Sequence, residues 1–287
     1  PDLAPAEAAD LPDWLWSVFE ADLGADAMPV AEAQKHRAPI ALRVNLKMNT
    51  AAQAIDNMLK CGISARPVSD VPSALIVTSG ERKIRQSTSY LSGEVELQDV
   101  SSQAAMARVN IPAGARVLDI CAGGGGKTLA LAAALPDGAG VRFFAHDINP
   151  DRMVDLPSRA ARAEVQVTCL APEDLPIGPD YDVVLCDVPC SGSGTWRRSP
   201  DAKWALTQER LGNFIETQRD ILLTSCERLR PGGQLIYTTC SVLRRENEDQ
   251  ISWLTGARND MERRDEMRWP VRAEGDGFYF AALRRKN

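Results

Sequence analysis

Two cysteines in this chain have neighbours that suit reactive thiols. Cys190 lies in Asp187-Val188-Pro189-Cys190-Ser191-Gly192, and Cys240 in Tyr237-Thr238-Thr239-Cys240-Ser241-Val242. The thiolate is the nucleophilic form of cysteine, and its addition to an electron-poor carbon splits one hard step into easier ones. One thiol in a cleft is a candidate nucleophile. A second beside it suits a reaction that makes a bond to sulfur and must then break it. A cysteine at a strand end is ordinarily a small buried hydrophobe, and that reading fits Cys186 and Cys226 and extends to Cys121.

Each of the two thiols follows a short apolar run that reads as a buried strand: Val183-Val184-Leu185-Cys186 and Gln234-Leu235-Ile236-Tyr237. Parallel strands of an open α/β sheet deliver their carboxyl ends to one edge, where ligands bind. Both thiols therefore face one cleft in this reading, although fifty residues separate them. From Arg116 onward strands are expected at 116–120, 141–145, 165–168, 182–186, 234–238 and 278–283. Helical patterns lie between them at 127–135, 150–162, 207–229 and 246–254, with Pro231-Gly232-Gly233 closing the long helix. Such alternation predicts a doubly wound, mostly parallel sheet.

Residues 1–100 look different. A helix opens near Leu11-Pro12-Asp13-Trp14, strands are expected at 40–45 and 73–78, and Thr50 caps a helix running to Lys60. This is a small α+β unit. Gln98-Asp99-Val100-Ser101-Ser102-Gln103 caps the helix that leads into the second part, residues 101–287.

Asp119-Ile120-Cys121-Ala122-Gly123-Gly124-Gly125-Gly126-Lys127-Thr128 reads as a strand end, a glycine loop and a helix start. Glycines let backbone approach a ligand closely, with the helix N-terminus behind. Three cofactor loops compete. A triphosphate P-loop needs a glycine five residues before Gly126, where Cys121 stands, although Asp187 could pass for its metal-binding aspartate. A dinucleotide loop expects a spaced third glycine where Leu129 stands. The third is an S-adenosylmethionine loop, in which Asp119 organises the methionine end and Asp147, after the second strand, binds the ribose hydroxyls. Arg152 is counted with the cofactor group, and Asp174 or its neighbour Glu173 is placed to accept from the adenine amino group.

The bulk numbers narrow the class. The chain has 287 residues, 44% hydrophobic and 25% charged, and fits an ordinary globular protein of one large or two unequal domains. Its apolar runs are short of the ~20 residues that span a bilayer. Seven scattered cysteines, no Cys-x-x-Cys and only two histidines exclude a disulfide framework and a zinc site, and suggest a reducing, cytoplasmic setting. Pro1 at the start suggests a processed form or a fragment. The net charge of −6 lacks the usual basic footprint of a nucleic-acid binder. Local footprints remain at Arg82-Lys83-Ile84-Arg85, at Arg197-Arg198 with Lys203, and at Arg244-Arg245.

With these residues assembled, the chain resembles the RNA 5-methylcytosine methyltransferases, the group typified by the bacterial Sun (Fmu) ribosomal RNA enzymes. Nearly the whole chain takes part: Arg43-Val44-Asn45, the segment from Leu97 to Gln103, the Asp187 and Cys240 motifs, Arg197 to Trp204, Glu246-Asn247-Glu248, and Gly275 to Tyr279. The family's loop usually reads Cys-Ala-Ala-Pro-Gly-Gly-Lys, so Gly123-Gly124 departs from it and makes the loop more flexible. The resemblance implies a Rossmann-like class I methyltransferase domain behind a small RNA-binding domain, acting as a monomer on an unstacked cytosine of RNA, most plainly ribosomal RNA. It makes Cys240 the nucleophile at carbon-6, with Arg244, Arg245 or the cofactor's sulfonium lowering its pKa. Cys190 assists proton release from carbon-5, Asp187 holds the cytosine edge, and Lys127 orients the base or the cofactor carboxylate. Trp196 and Trp204 are open to base stacking or to core packing. The competing classes are a P-loop ATPase, an inactive RNA-binding assembly factor, and a DNA cytosine methyltransferase, which would use the Pro-Cys thiol as nucleophile.

Overall fold

The computed structural model describes residues 3–136 and 138–287, so Pro1 lies outside the described residues. Its first sheet is antiparallel, with β1 (Ala41–Val44), β2 (Ser64–Val68), β3 (Val71–Ser79) and β4 (Val95–Leu97) in the order β2-β3-β1-β4. Thr50 caps the helix Ala51–Lys60 through a reciprocal capping box with Gln53. That helix buries Ala54 and Met58 in one cluster with Leu42, Ile63 and Leu75. The strands expected at 40–45 and 73–78 are present. Strands β2 and β4 escape the sequence pattern: β2 is an edge strand carrying Arg66 and Pro67, and β4 has three residues.

Helices Pro5–Ala8, Asp13–Leu23 and Ala27–Gln34 precede this sheet in the chain. Their Leu15, Phe19 and Val30 share an apolar cluster with Trp196, Leu206, Leu211, Val242 and Leu243 from the second half. Phe19 stacks on Trp196 with ring centroids 5.7 Å apart, which settles Trp196 as a core side chain. Trp204 is exposed.

The second sheet holds β5 (Arg116–Asp119), β6 (Arg142–His146), β7 (Val167–Leu170), β8 (Tyr181–Asp187), β9 (Leu229–Thr239), β10 (Met261–Trp269) and β11 (Phe278–Arg285), in the order β10-β11-β9-β8-β5-β6-β7. Strands β5 to β9 run parallel; β11 is antiparallel to β9, and β10 to β11. Side chains alternate between faces with period two. Leu118, Val184, Leu235 and Tyr237 meet Leu222 and Leu254 on one face, and Val117, Val183 and Ile236 meet Met106 and Leu131 on the other. This is the doubly wound, mostly parallel sheet that the alternation predicts.

Two expectations need correction, and one strand of this sheet is not among those expected. The long helix spans Gln208–Arg228, and Pro231-Gly232-Gly233 lies inside β9 rather than in a turn before it. A register shift between β8 and β9 at Tyr181/Val183 absorbs that segment, which suits a proline that cannot donate to the ladder. The span 150–162 divides into a 3-10 turn, Pro150–Met153, and a helix, Leu156–Arg162, whose first turn tolerates Pro157. Strand β10 is absent from the expected strands, since its run Glu262-Arg263-Arg264-Asp265-Glu266 lies on the sheet's outer edge and lacks an apolar pattern.

Candidate active site

Strand order fixes the site. The chain leaves β5 for β6 on one side while β8 pairs on the other, and such a switch point opens a crevice at the carboxyl ends. A cleft of about 550 Å³ lies there, with Asp119, Cys121, Gly123, Lys127, Asp187, Cys240 and Phe278 in its wall. Strands β8 and β9 are parallel neighbours with Asp187 opposite Thr238. The Pro-Cys and Thr-Cys loops therefore leave the same edge side by side, and Cys190 Sγ comes within 3.5 Å of Cys240 Sγ.

The two thiols titrate as a pair. Cys240 is held below the ordinary thiol value, first by the hydrogen bond from Cys190 and then by the Lys127 ammonium, against the pull of burial. Cys190 is pushed well above that value, first as the donor of that bond and then by burial. The thiolate thus belongs at Cys240 and the proton at Cys190. Arg244 and Arg245, expected to help, are committed elsewhere: Arg245 grips Asp22 through two bonds of 2.9 Å, and the exposed Arg244 pairs with Asp249.

Lys127 Nζ donates to Asp187 Oδ2 at 2.6 Å, and Thr238 donates to Asp187 Oδ1 at 3.1 Å. Burial works against the Lys127 charge, but Asp187 more than offsets it and keeps the ammonium above its ordinary value. The ammonium also lies 5.2 Å from the centre of the Phe278 ring.

The glycine loop is held from three directions. Gly125, at φ +76°, caps the helix Gly126–Ala133, and a Cβ there would overlap Leu156. Asp147, 1% exposed, accepts from Gly123 N and Asn149 N at 3.0 Å each, and pairs with Arg152 at 3.2 Å. From the first sheet, Arg43 donates to Gly126 O at 2.8 Å and Gln98 donates to the same oxygen at 3.2 Å. Arg159 donates to Gly124 O and, at 3.0 Å, to Glu96. Glu96 and Arg159 do not stand out in the sequence, and Arg43 and Gln98 do so only inside motifs to which the sequence gives no site role, because that role comes from docking one sheet on the other.

Asp119 accepts from Thr128 at 2.6 Å through Oδ2, while its buried Oδ1 has no partner. Burial raises its pKa to about 7. An unpartnered acidic oxygen in a glycine-lined cleft wall fits a cofactor with a cationic end, as S-adenosylmethionine has. Asp119 and the backbone of residues 121–124 and 126 would hold that end, with Arg152 beside them in the wall, while Asp147, expected to bind the ribose, braces the loop from behind through Gly123 N, Asn149 N and Arg152. Cys121 lines the cleft, with its thiol pushed far up by burial. Gly125 and Asp147 stand behind the wall rather than in it. Asp174 and Glu173 are exposed on a 3-10 turn after β7 and are not in the cleft wall.

One residue under the thiols goes beyond its sequence motif. Glu246 is fully buried and accepts from Ser191 N at 2.8 Å, from the hydroxyls of Ser191 and Ser241 at 2.5 Å each, and from Gln218 at 3.2 Å. It joins the loop of Cys190 to the loop of Cys240. Burial raises its pKa, opposed by these donors.

Fold and site together define a class I methyltransferase: the sheet ends in the antiparallel β10-β11 pair, and the cofactor loop follows β5. A family model described as 16S rRNA methyltransferase RsmB/F matches residues 106–284, and one described as an RsmF/B-like ferredoxin-like domain matches residues 11–82. The chain belongs to the RsmB/F methyltransferase family. It is 30% identical over 290 residues to ribosomal RNA small subunit methyltransferase B of Klebsiella pneumoniae (strain 342), covering 96% of this chain and 66% of that one. It is 33% identical over 289 residues to the protein of the same description from Xylella fastidiosa (strain 9a5c), covering 95% and 68%. The chain thus spans about two thirds of the length of these relatives. Among solved structures, a methyltransferase homolog protein from Pyrococcus horikoshii superposes with a TM-score of 0.80 at 22% identity, covering 99% of this chain and 100% of that one. NSun6 from the same organism, solved with SFG, gives 0.82 at 17%, covering 96% and 98%. At those identities the two structures speak for the fold alone. Among the described residues, no helix is long and apolar enough to cross a membrane.

Proposed function

We propose that this chain transfers a methyl group from S-adenosylmethionine to carbon-5 of a cytosine in ribosomal RNA, through a covalent bond between Cys240 and carbon-6. The observation that carries this reading is the 3.5 Å thiol pair, polarised so that Cys240 is the easier to ionise. Family membership supports the RNA substrate and the cofactor.

Bound S-adenosylmethionine would supply an electrophilic methyl group, its sulfur keeping the electron pair of the broken sulfur–methyl bond and leaving as the neutral thioether S-adenosylhomocysteine. The protein's own work is to make carbon-5 nucleophilic and then restore the ring. Cys240 Sγ adds to carbon-6, and the ring electrons released toward carbon-5 form its new bond to the methyl group. Asp187, fixed by Lys127 and Thr238, holds the cytosine edge. Loss of negative charge at Cys240 on bond formation lets Cys190 release its proton to solvent and ionise. Cys190 then takes the carbon-5 proton, directly or through a water it positions, and the carbon–sulfur pair returns to Cys240. The target must leave its stack to expose both ring faces.

We further place the division between the two units near residue 100, with the first contacting RNA, and read the protein as a monomer of a reducing, cytoplasmic compartment. The test is incubation with methyl-labelled cofactor and 16S ribosomal RNA, followed by mapping of 5-methylcytosine. Label at one or a few cytosines is expected; label on another base or atom, or none, overturns the proposal.

A further inference from the structure

Three basic clusters stand out in the sequence, and the structure uses up two of them. Arg197 is buried against Asp276 at 2.7 Å, Lys203 is buried against Asp10, and Arg198 is shared between Asp276 and Asp99. Arg245 and Arg244 are paired as described above. Arg82 and Arg85 differ: both are exposed, and among the described residues neither has a carboxylate within ion-pair distance. They lie on the 3-10 segment Glu81–Gln86, pinned by the buried Ile84, whose carbonyl accepts from the Ser87 hydroxyl at 2.7 Å.

Arg82 and Arg85 line a second groove of about 580 Å³ together with Ile40, Leu97 and Arg198. This groove is continuous with the catalytic cleft, because Leu97, Gln98, Asp99 and Arg198 line both. Its two acids are already answered. Glu81 faces Arg37 at 3.9 Å, and Asp99 accepts from Ser101 N, Asp276 N and Arg198.

We infer that this groove binds the single-stranded RNA flanking the target cytosine, with Arg82 and Arg85 on its phosphates and Ile40 and Leu97 under its bases. The inference rests on the RNA reading above and deepens it. A nucleotide in the cleft is part of a polymer, so the strand must leave the cleft along some path. The path through Leu97 and Arg198 leads to Arg82 and Arg85, which have no ion-pair partner among the described residues. Among the described residues no aromatic side chain lines the groove. Contact there is electrostatic and tolerant of sequence, setting affinity rather than base choice.

The experiment measures equilibrium binding of a single-stranded 16S ribosomal RNA fragment to the 287-residue chain across a salt series. It compares wild type with Arg82→Glu/Arg85→Glu, and with the matched reversal Arg263→Glu/Arg264→Glu on the outer strand β10. Each phosphate contact to a single strand contributes about 0.7 to the log–log salt slope, so loss of two should flatten it by about 1.4. Affinity at low salt should fall roughly tenfold or more, while the β10 reversal changes little. An unchanged slope in Arg82→Glu/Arg85→Glu, or equal flattening by the β10 reversal, overturns the inference. Methyl incorporation by wild type is read in the same samples. Its absence would overturn the methyltransferase reading, while the binding comparison still decides the groove.

Discussion

Cys190 and Cys240 meet at 3.5 Å only because β8 and β9 are parallel neighbours, and that contact assigns the proton to one thiol and the charge to the other. Removing either thiol should therefore break a different half of the cycle. Cys240→Ala removes the nucleophile, and methyl transfer should drop by about 10⁴-fold or more with no protein–RNA adduct on a denaturing gel. Cys190→Ala keeps the nucleophile but not the group that completes release, so labelled RNA should accumulate on the protein while turnover stops. Adduct in Cys240→Ala, or normal turnover in Cys190→Ala, would reverse the assignment.

Asp119 gives a pH dependence with a definite sign. Its carboxyl titrates near 7 in the folded chain, against 3.8 for an ordinary aspartate, chiefly because it is buried. Between those values the folded state holds a proton that the unfolded state has lost. Stability of the cofactor-free chain should therefore fall as pH rises from about 4 to about 7, by roughly 2–4 kcal/mol. Asp119→Asn should flatten that stretch of the curve and raise Tm at pH 8, yet weaken cofactor binding by removing the negative charge that answers its cationic end. Thermal melts with and without cofactor at pH 5 and pH 8 check both signs. An unchanged pH profile in Asp119→Asn would show that this carboxyl does not set it.

The sequence makes the central strands legible because burial on both faces demands uninterrupted apolar runs, as in Val183-Val184-Leu185. Edge strands are hidden for the converse reason: β10 shows charge to solvent and β2 carries a proline. The motif residues of the site are equally visible. The way they are braced is not, since Glu96 and the motif residues Gln98 and Arg43 reach the glycine loop across 28 to 83 residues of sequence, by way of a docked sheet or through Arg159. The source of Cys240 activation was also hidden, because proximity in the chain favoured Arg244 and Arg245 whereas proximity in space chose Cys190 and Lys127.

Two glycines with the same backbone angle make a controlled comparison. Gly114 and Gly125 have φ of +75° and +76°, but a Cβ at Gly114 meets open space whereas one at Gly125 overlaps Leu156. Gly114→Ala should cost only the left-handed backbone penalty, about 1 kcal/mol. Gly125→Ala adds displacement of Leu156 and of the helix start, for roughly 2–4 kcal/mol in all, with weaker cofactor binding. Chemical denaturation and cofactor titration measure the two effects. Equal losses at both sites would mean that the loop yields freely and that Leu156 does not brace it.

Glu246 supplies the last test, because it holds the thiol loops without touching the thiols' reaction path. Four donors converge on its carboxylate, two from Ser191, one from Ser241 and one from Gln218. Glu246→Ala leaves those donors buried and unanswered, and should destabilise the fold by about 3–5 kcal/mol. Glu246→Gln keeps the shape but turns one acceptor into a donor that faces other donors. It should fold, lose about 1–2 kcal/mol, and let the Ser191 and Ser241 loops drift apart. Because the hydrogen bond from Cys190 is the leading reason that Cys240 ionises easily, that drift should raise the Cys240 pKa. The expected readout is an alkaline shift of the pH–rate profile, with kcat reduced at neutral pH and recovered toward pH 9, and KM for RNA nearly unchanged. A folded Glu246→Gln protein with the wild-type pH profile would show that Glu246 supports the fold without setting the thiol geometry.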